Sequence, residues 1–191
     1  LLFCRRYKNP IQLSCQRVPI RSSMYDEYMA TVYIGLGSNL GHREANLELA
    51  MKLFRPEFQI TKVSSIYETE MTYRRERPRY LNMVCRIETD CSPTDVHAKC
   101  KAIERSMGRR VTGMFDPRTI DVVFLTYDEI AYKSGPIVIP HPRLHERAFV
   151  LVPFAEIAPN LVHAEFGRTI AQLRTELGDY SQKIVKIDQA V

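Results

Sequence analysis

The stretch TVYIGLGSNLGHREANLELAMKLF, residues 31–54, decides how the chain is read. From Thr31 to Gly37 it is β-branched or apolar and ends in glycine, the pattern of a buried strand. Gly37, Ser38, Asn39, Leu40 and Gly41 then make a turn, after which Leu47, Ala50, Met51 and Phe54 recur at helical spacing. A strand that passes through a glycine-bounded turn into a helix opens an α/β unit.

Working outward, residues 58–69 and 80–89 read as two strands, with a charged loop between them that carries Arg74, Arg75, Glu76 and Arg77. That loop is long for a hairpin, and long loops often serve function. Ser92 is placed to cap a helix, Pro93 suits its first position and Asp95 its third, and Val96, Cys100, Ile103 and Met107 then share one face before Gly108. Further strands are expected over 119–125 and 137–139, with a turn and return strand between them over 127–132. Helices are expected near 146–157 and 169–177. The order β-α-β-β-α-β predicts an α+β domain of the split βαβ, ferredoxin-like kind, with an antiparallel-rich sheet flanked by helices. The division that follows is an extension over 1–30, the domain over 31–177 and a C-terminal tail over 178–191.

With 191 residues, 45% of them hydrophobic, the chain is long enough for one domain with a sizeable core. Cys4, Cys15, Cys85, Cys91 and Cys100 form no C-x-x-C pair and are odd in number, which argues against a disulfide framework or a zinc site and suggests a reducing setting. No apolar run approaches the ~20 residues of a membrane-spanning helix. The net charge of +5 is unevenly placed: Arg5, Arg6, Lys8, Arg17 and Arg21 precede the first acidic residue, and without these five the 27 basic residues fall to 22, equal to the 22 acidic ones. An extension rich in arginine and serine and free of acids has the composition of a mitochondrial or plastid targeting region. Its start at Leu1 fits either a processed or a truncated chain. Such a tail cannot build a core of its own, so it is expected to dock on another protein subunit through its arginines; contact with RNA or anionic lipid is the lesser alternative.

Charged residues cluster over 104–121 and again over 140–147. Arginines brought from separate elements suit a polyphosphate, because each guanidinium presents a planar, permanently charged fork to phosphate oxygens. A solvated charged surface is the bland alternative.

The order of the motifs decides between these. Gly37-Ser38-Asn39-Leu40-Gly41, Ser65-Ile66-Tyr67-Glu68-Thr69, Pro78-Arg79-Tyr80-Leu81-Asn82, Ile103-Glu104 with Gly108-Arg109, Pro117-Arg118-Thr119-Ile120-Asp121, and Ile139-Pro140-His141-Pro142-Arg143 with Glu146, Arg147 and Phe149 follow one another. In this order they resemble the 6-hydroxymethyl-7,8-dihydropterin pyrophosphokinase family, which moves pyrophosphate from ATP to a pterin alcohol. The resemblance implies that Arg109 and Arg118 clamp the transferring phosphates and that Glu104, His141 and Arg147 hold the nucleotide with them. It implies a pterin pocket lined by Thr69, Tyr80, Asn82, Phe115 and Phe149, and ATP with Mg2+ as the reaction's requirements.

Two departures bear on catalysis. The family's strand motif is Pro-Arg-x-x-Asp-x-Asp, with both acids on magnesium, whereas here Val123 follows Asp121 at the second acidic position. Residues two apart on a strand share a face about 6.6 Å from each other, so the lost carboxylate leaves Asp121 as the single metal ligand of that motif. Glu70 also stands where the family usually has proline beside the pterin. The expectation drawn from these departures is a damaged metal site on a catalytically inactive domain, reused without cofactor as an accessory subunit of a mitochondrial assembly. The alternatives are an active pterin pyrophosphokinase using ATP and Mg2+, and a nucleotide- or RNA-binding module; plastid or cytoplasm are the alternative locations.

Overall fold

The computed structural model describes residues 28–70, 78–109, 116–178 and 183–187. Strand β1 (Ala30–Ser38) leads into helix α1 (Arg43–Phe54), then β2 (Gln59–Val63), β3 (Tyr67–Thr69) and β4 (Tyr80–Thr89). Helix α2 (Pro93–Ser106), strands β5 (Asp121–Tyr127), β6 (Tyr132–Ser134) and β7 (Ile137–Ile139), helices α3 (Ala148–Ile157) and α4 (Ile170–Glu176) and strand β8 (Ile184–Lys186) complete it. The main sheet runs β5-β1-β4-β3-β8, with β2 also paired to β4, and every pairing is antiparallel. Fourth, first, third, second is the strand order of the split βαβ arrangement, so the expected fold class holds.

Strand alternation sorts the core onto two faces. Val32, Ile34 and Leu36 of β1 and Val122 and Phe124 of β5 pack with Leu47, Ala50 and Phe54 of α1 and Val96, Cys100 and Ile103 of α2. Tyr33, Val84 and Leu125 face the other way, against Val150, Leu151 and Phe154 of α3 and Ile170 and Leu173 of α4. The sheet is thus covered by a helical layer on each face. Helix α2 begins as its sequence indicates: the Ser92 hydroxyl accepts from the Asp95 N–H at 3.2 Å, with Pro93 in the first turn. Thr169 and Gln172 cap α4 reciprocally.

Several expectations need correction. The strand read over 58–69 is broken into β2 and β3, because Ser64 turns inward, its hydroxyl accepting from the Val84 N–H at 2.9 Å. Strand β5 starts at Asp121 and runs to Tyr127, two residues later than 119–125 at both ends. The tail over 178–191 is not separate from the sheet, since β8 pairs with β3 in the register Tyr67 to Lys186 and Thr69 to Ile184. At the other end, Ala30, assigned above to the extension, is the first residue of β1. The rest of the extension before Tyr28, the loop arginines Arg74, Arg75 and Arg77, and Phe115 lie outside the described residues.

Phe54 is fully buried and packs its ring 5.6 Å from that of Phe58. Phe54→Ala is expected to cost about 3–5 kcal/mol, read as a lower urea midpoint with an unchanged slope; a midpoint unmoved from that of the natural sequence would contradict the packing described.

Candidate active site

On β1, Tyr33, Gly35 and Gly37 point to the face covered by α3, but only Tyr33 is roofed, by Phe154 at a ring separation of 4.7 Å. The two glycines leave space beside it. A cavity of about 200 Å³ opens there, lined by Gly35, Gly37, Thr69, Tyr80, Asn82 and Phe149 among others. It is mostly apolar, and its polar features are few and fixed: the Asn82 amide donates to Thr69 Oγ1 at 2.7 Å. A methyl group at Gly37 would come within 3.1 Å of Asn82 Oδ1, so this glycine keeps the amide in place. The dimensions and the sparse polar set suit a flat heterocycle.

A second cavity of about 330 Å³ lies along β5 on the side of α2 and the 136–142 turn. Lys101, Arg118, His141 and Arg147 line it. The two cavities share Asp121, Val123 and Arg147.

The wall between α2 and β5 is held by Glu104, whose side chain is buried within the sheet-facing surface of the helix. Its Oε1 accepts from the Val122 N–H at 2.7 Å and from Arg109, and its Oε2 accepts from Lys101 at 2.8 Å. Arg109 also reaches Asp121 Oδ1 at 2.7 Å, while Arg118 reaches Oδ2 at 3.2 Å. Arg118 is fixed from behind through its backbone, since its N–H donates to Asn39 Oδ1 at 2.7 Å and its carbonyl accepts from the Asn39 N–H at 3.1 Å. Asn39 of the first glycine turn therefore positions an arginine almost eighty residues away. Burial tends to raise the Asp121 pKa, but the hydrogen bond and charge of Arg109, with Arg118 and Lys101, hold it below the usual carboxylate range.

The structure brings together Arg118, Asp121, His141 and Arg147 at the cationic cavity, and Thr69, Tyr80, Asn82 and Phe149 around the apolar one. Arg147 lies 5.8 Å over the Phe149 ring, joining the two sets. Glu104 is a correction: it does not line the nucleotide-sized cavity but stands behind its wall, where it fixes Arg109 and the β5 backbone. Glu70, flagged as a departure, does line the apolar cavity, 4.0 Å from Arg79. Lys101 escaped the sequence reading, although its position three residues before Glu104 puts it on the same helix face.

Magnesium is the metal that the motif implies. Val123 presents only a methyl-bearing side chain to both cavities, and among the described residues no three histidine, cysteine or acidic side chains gather into a metal site. Magnesium commonly takes one or two carboxylates and completes its shell with phosphate and water. Asp121 fits one such ion; a second ion lacks its carboxylate.

Residues 33–159 match the family described as 7,8-dihydro-6-hydroxymethylpterin-pyrophosphokinase (HPPK). The chain is 32% identical over 148 residues to the 2-amino-4-hydroxy-6-hydroxymethyldihydropteridine pyrophosphokinase of Aquifex aeolicus, covering 78% of this chain and 92% of that protein. It is 38% identical to the folic acid synthesis protein fol1 of Schizosaccharomyces pombe, covering 69% of this chain and 18% of that one. With the mitochondrial folate synthesis bifunctional protein of Pisum sativum the identity is 36%, over 70% of this chain and 26% of the other. The chain therefore spans about a fifth to a quarter of the length of these last two relatives. A crystal structure of Plasmodium falciparum HPPK-DHPS, 14% identical, shares the fold with a TM-score of 0.65 over 78% of this chain and 45% of that one.

Two predictions follow from the wall and its lining. Glu104→Ala strands the Val122 N–H, removes the ion-pair partner of Lys101 and leaves Arg109 with Asp121 alone, so a loss of about 3–5 kcal/mol is expected in urea unfolding, with Glu104→Gln losing less. Burial, then Arg147, lowers the His141 pKa from 6.5 to about 4. The unfolded chain thus takes up this proton first, and the histidine's share of stability, intact above about 6.5, is lost as pH falls through about 4. NMR titration of the imidazole should show a midpoint near the lower value; one near 6.5 would contradict the burial.

Proposed function

The chain belongs to the 7,8-dihydro-6-hydroxymethylpterin-pyrophosphokinase family, and we propose that it transfers pyrophosphate from ATP to 6-hydroxymethyl-7,8-dihydropterin. The observation that carries this reading is the meeting of an apolar and a cationic cavity at Asp121, Val123 and Arg147. Two substrates of opposite character would be held end to end, with the reacting groups at the shared residues. The pyrophosphokinase names of the relatives support catalysis over the accessory-subunit expectation.

In this reading the pterin lies between Phe149 and the β1 glycines and hydrogen-bonds to Asn82 and Thr69. Its hydroxymethyl oxygen bonds to the β-phosphorus of ATP as the bond from that phosphorus to the α-phosphate oxygen breaks. AMP leaves, and the hydroxyl proton passes to solvent. Arg109 and Arg118, now bonded to Asp121, have N–H groups that can turn to the phosphates, where charge-assisted hydrogen bonds stabilise the spreading negative charge. His141 stays neutral at pH 7, and because its Nδ1 accepts the Arg143 N–H at 3.1 Å, its Nε2–H is the donor left for the nucleotide. Magnesium, held by Asp121 and the phosphates, supplies further charge neutralisation when bound. Because most of the catalytic effect is positioning and electrostatics, a single carboxylate lowers metal affinity without removing the site.

Val123 favours one second reading, a domain that binds both substrates without joining them and serves as an accessory subunit. For location we propose the mitochondrion, on the basic extension and on the mitochondrial relative from pea.

Incubation with ATP, Mg2+ and the pterin alcohol is expected to release AMP only when the pterin is present. Arg118→Ala should slow it by about 10²–10³-fold, the range for removal of one group that stabilises transition-state charge. Val123→Asp should lower the magnesium concentration needed for half-maximal rate. Binding of both substrates with no AMP above a protein-free control would favour the second reading.

A further inference from the structure

Lys101 projects from α2 one turn before Glu104, and its ammonium lines the cationic cavity. One donor goes to Glu104 Oε2 at 2.8 Å, and an ammonium has further donors to give. A surface ion pair at this spacing would be unremarked, since it contributes little. This one lies at the edge of the cavity, with the lysine side chain 38% exposed and the carboxylate buried. Burial, then the Arg109 guanidinium, pulls the lysine's pKa below its ordinary value, with Asp121 acting in the opposite direction and Arg118 adding to the repulsion.

Lys101, Arg109, Arg118 and Arg147 thus stand together around Glu104 and Asp121, with Glu146 also acting on Arg147. Beyond burial, the mutual repulsion of these cations lowers the pKa values of Lys101 and Arg147 and costs free energy. A polyanion in the cavity would return it. With aspartate at Val123 the same site would be one charge more negative and would need a second divalent ion to accept the same polyphosphate.

We propose, resting on the reading above, that Lys101 binds the β- and γ-phosphates of the nucleotide and supplies positive charge that a second carboxylate-held metal ion would otherwise bring. The nucleotide cavity then accepts triphosphate without divalent metal, and magnesium improves binding only modestly. The ammonium keeps its bond to Glu104 and turns its remaining donors into the cavity. A lysine suits this task because it is a compact point charge that can follow a flexible polyphosphate.

The test is calorimetric titration of the whole chain with α,β-methylene-ATP and, separately, with AMP, each in EDTA and in Mg2+. The natural sequence is expected to bind the triphosphate in EDTA at least tenfold more tightly than AMP. Lys101→Met should weaken the triphosphate in EDTA by about tenfold or more, as for a charge-assisted bond, and leave AMP within about twofold. Lys101→Arg, which keeps the charge, should restore most of the affinity; this separates phosphate contact from any disturbance of Glu104, which would weaken AMP as well. Equal triphosphate affinity in the natural sequence and Lys101→Met overturns the role of Lys101 while leaving the proposed function standing. Failure of the natural sequence to bind the triphosphate even with Mg2+ overturns both.

Discussion

The site depends on one buried carboxylate. Glu104 accepts the N–H of Val122, the peptide that lies between the shared residues Asp121 and Val123, and at the same time gathers Arg109 and Lys101. The bond fixes where the C-terminal end of α2 sits against β5, and so fixes the wall on which the cationic cavity is built. A buried charge is tolerated only when it is paired and hydrogen-bonded on all sides. Here that requirement forces three cavity elements, a strand backbone, an arginine and a lysine, into one arrangement.

A second tie works across the sheet. Asn39 exchanges hydrogen bonds with Arg118, so the turn that ends β1 and the segment that enters β5 move as one piece. The same β1 presents Gly35 and Gly37 to the apolar cavity, and β4, paired to it along its length, presents Asn82. The central strand pair therefore sets the distance between the two cavities. The loss of an acid at Val123 falls at the meeting point and changes charge, while leaving these positioning bonds intact. Those bonds serve either proposed reading, and the pyrophosphokinase names of the relatives are what favour a working site.

Much of this was legible in the sequence because local chemistry specified it. The turn after β1, the Ser92 cap with Pro93, the helical spacing in α1 and α2 and the paired motifs at Arg118 and His141 all act over a few residues. The break between β2 and β3 was not legible, since it comes from Ser64 bonding to Val84 on another strand. Strand β8 escaped for a similar reason: three residues with half-exposed side chains carry little pattern, and their strand character comes from pairing with β3. At the site, Thr69, Tyr80, Asn82 and Phe149 of one cavity and Arg118, His141 and Arg147 of the other are named from the motif order. The place of Glu104 behind the wall, and of Lys101 in front of it, needed the packing of α2 on β5.

The charge account links these observations: one carboxylate is lost on β5, and a lysine on α2 helps to offset the metal that it would have held. Pyrophosphoryl transfer remains the claim on which the account stands. Its most direct test is phosphorus NMR of the protein at substrate-level concentration with MgATP and 6-hydroxymethyl-7,8-dihydropterin. The account predicts that the β- and γ-phosphorus signals of ATP convert together into those of a diphosphate ester on the pterin, with AMP appearing in equal amount. ATP signals that persist unchanged, or that decay to ADP and inorganic phosphate, would contradict it.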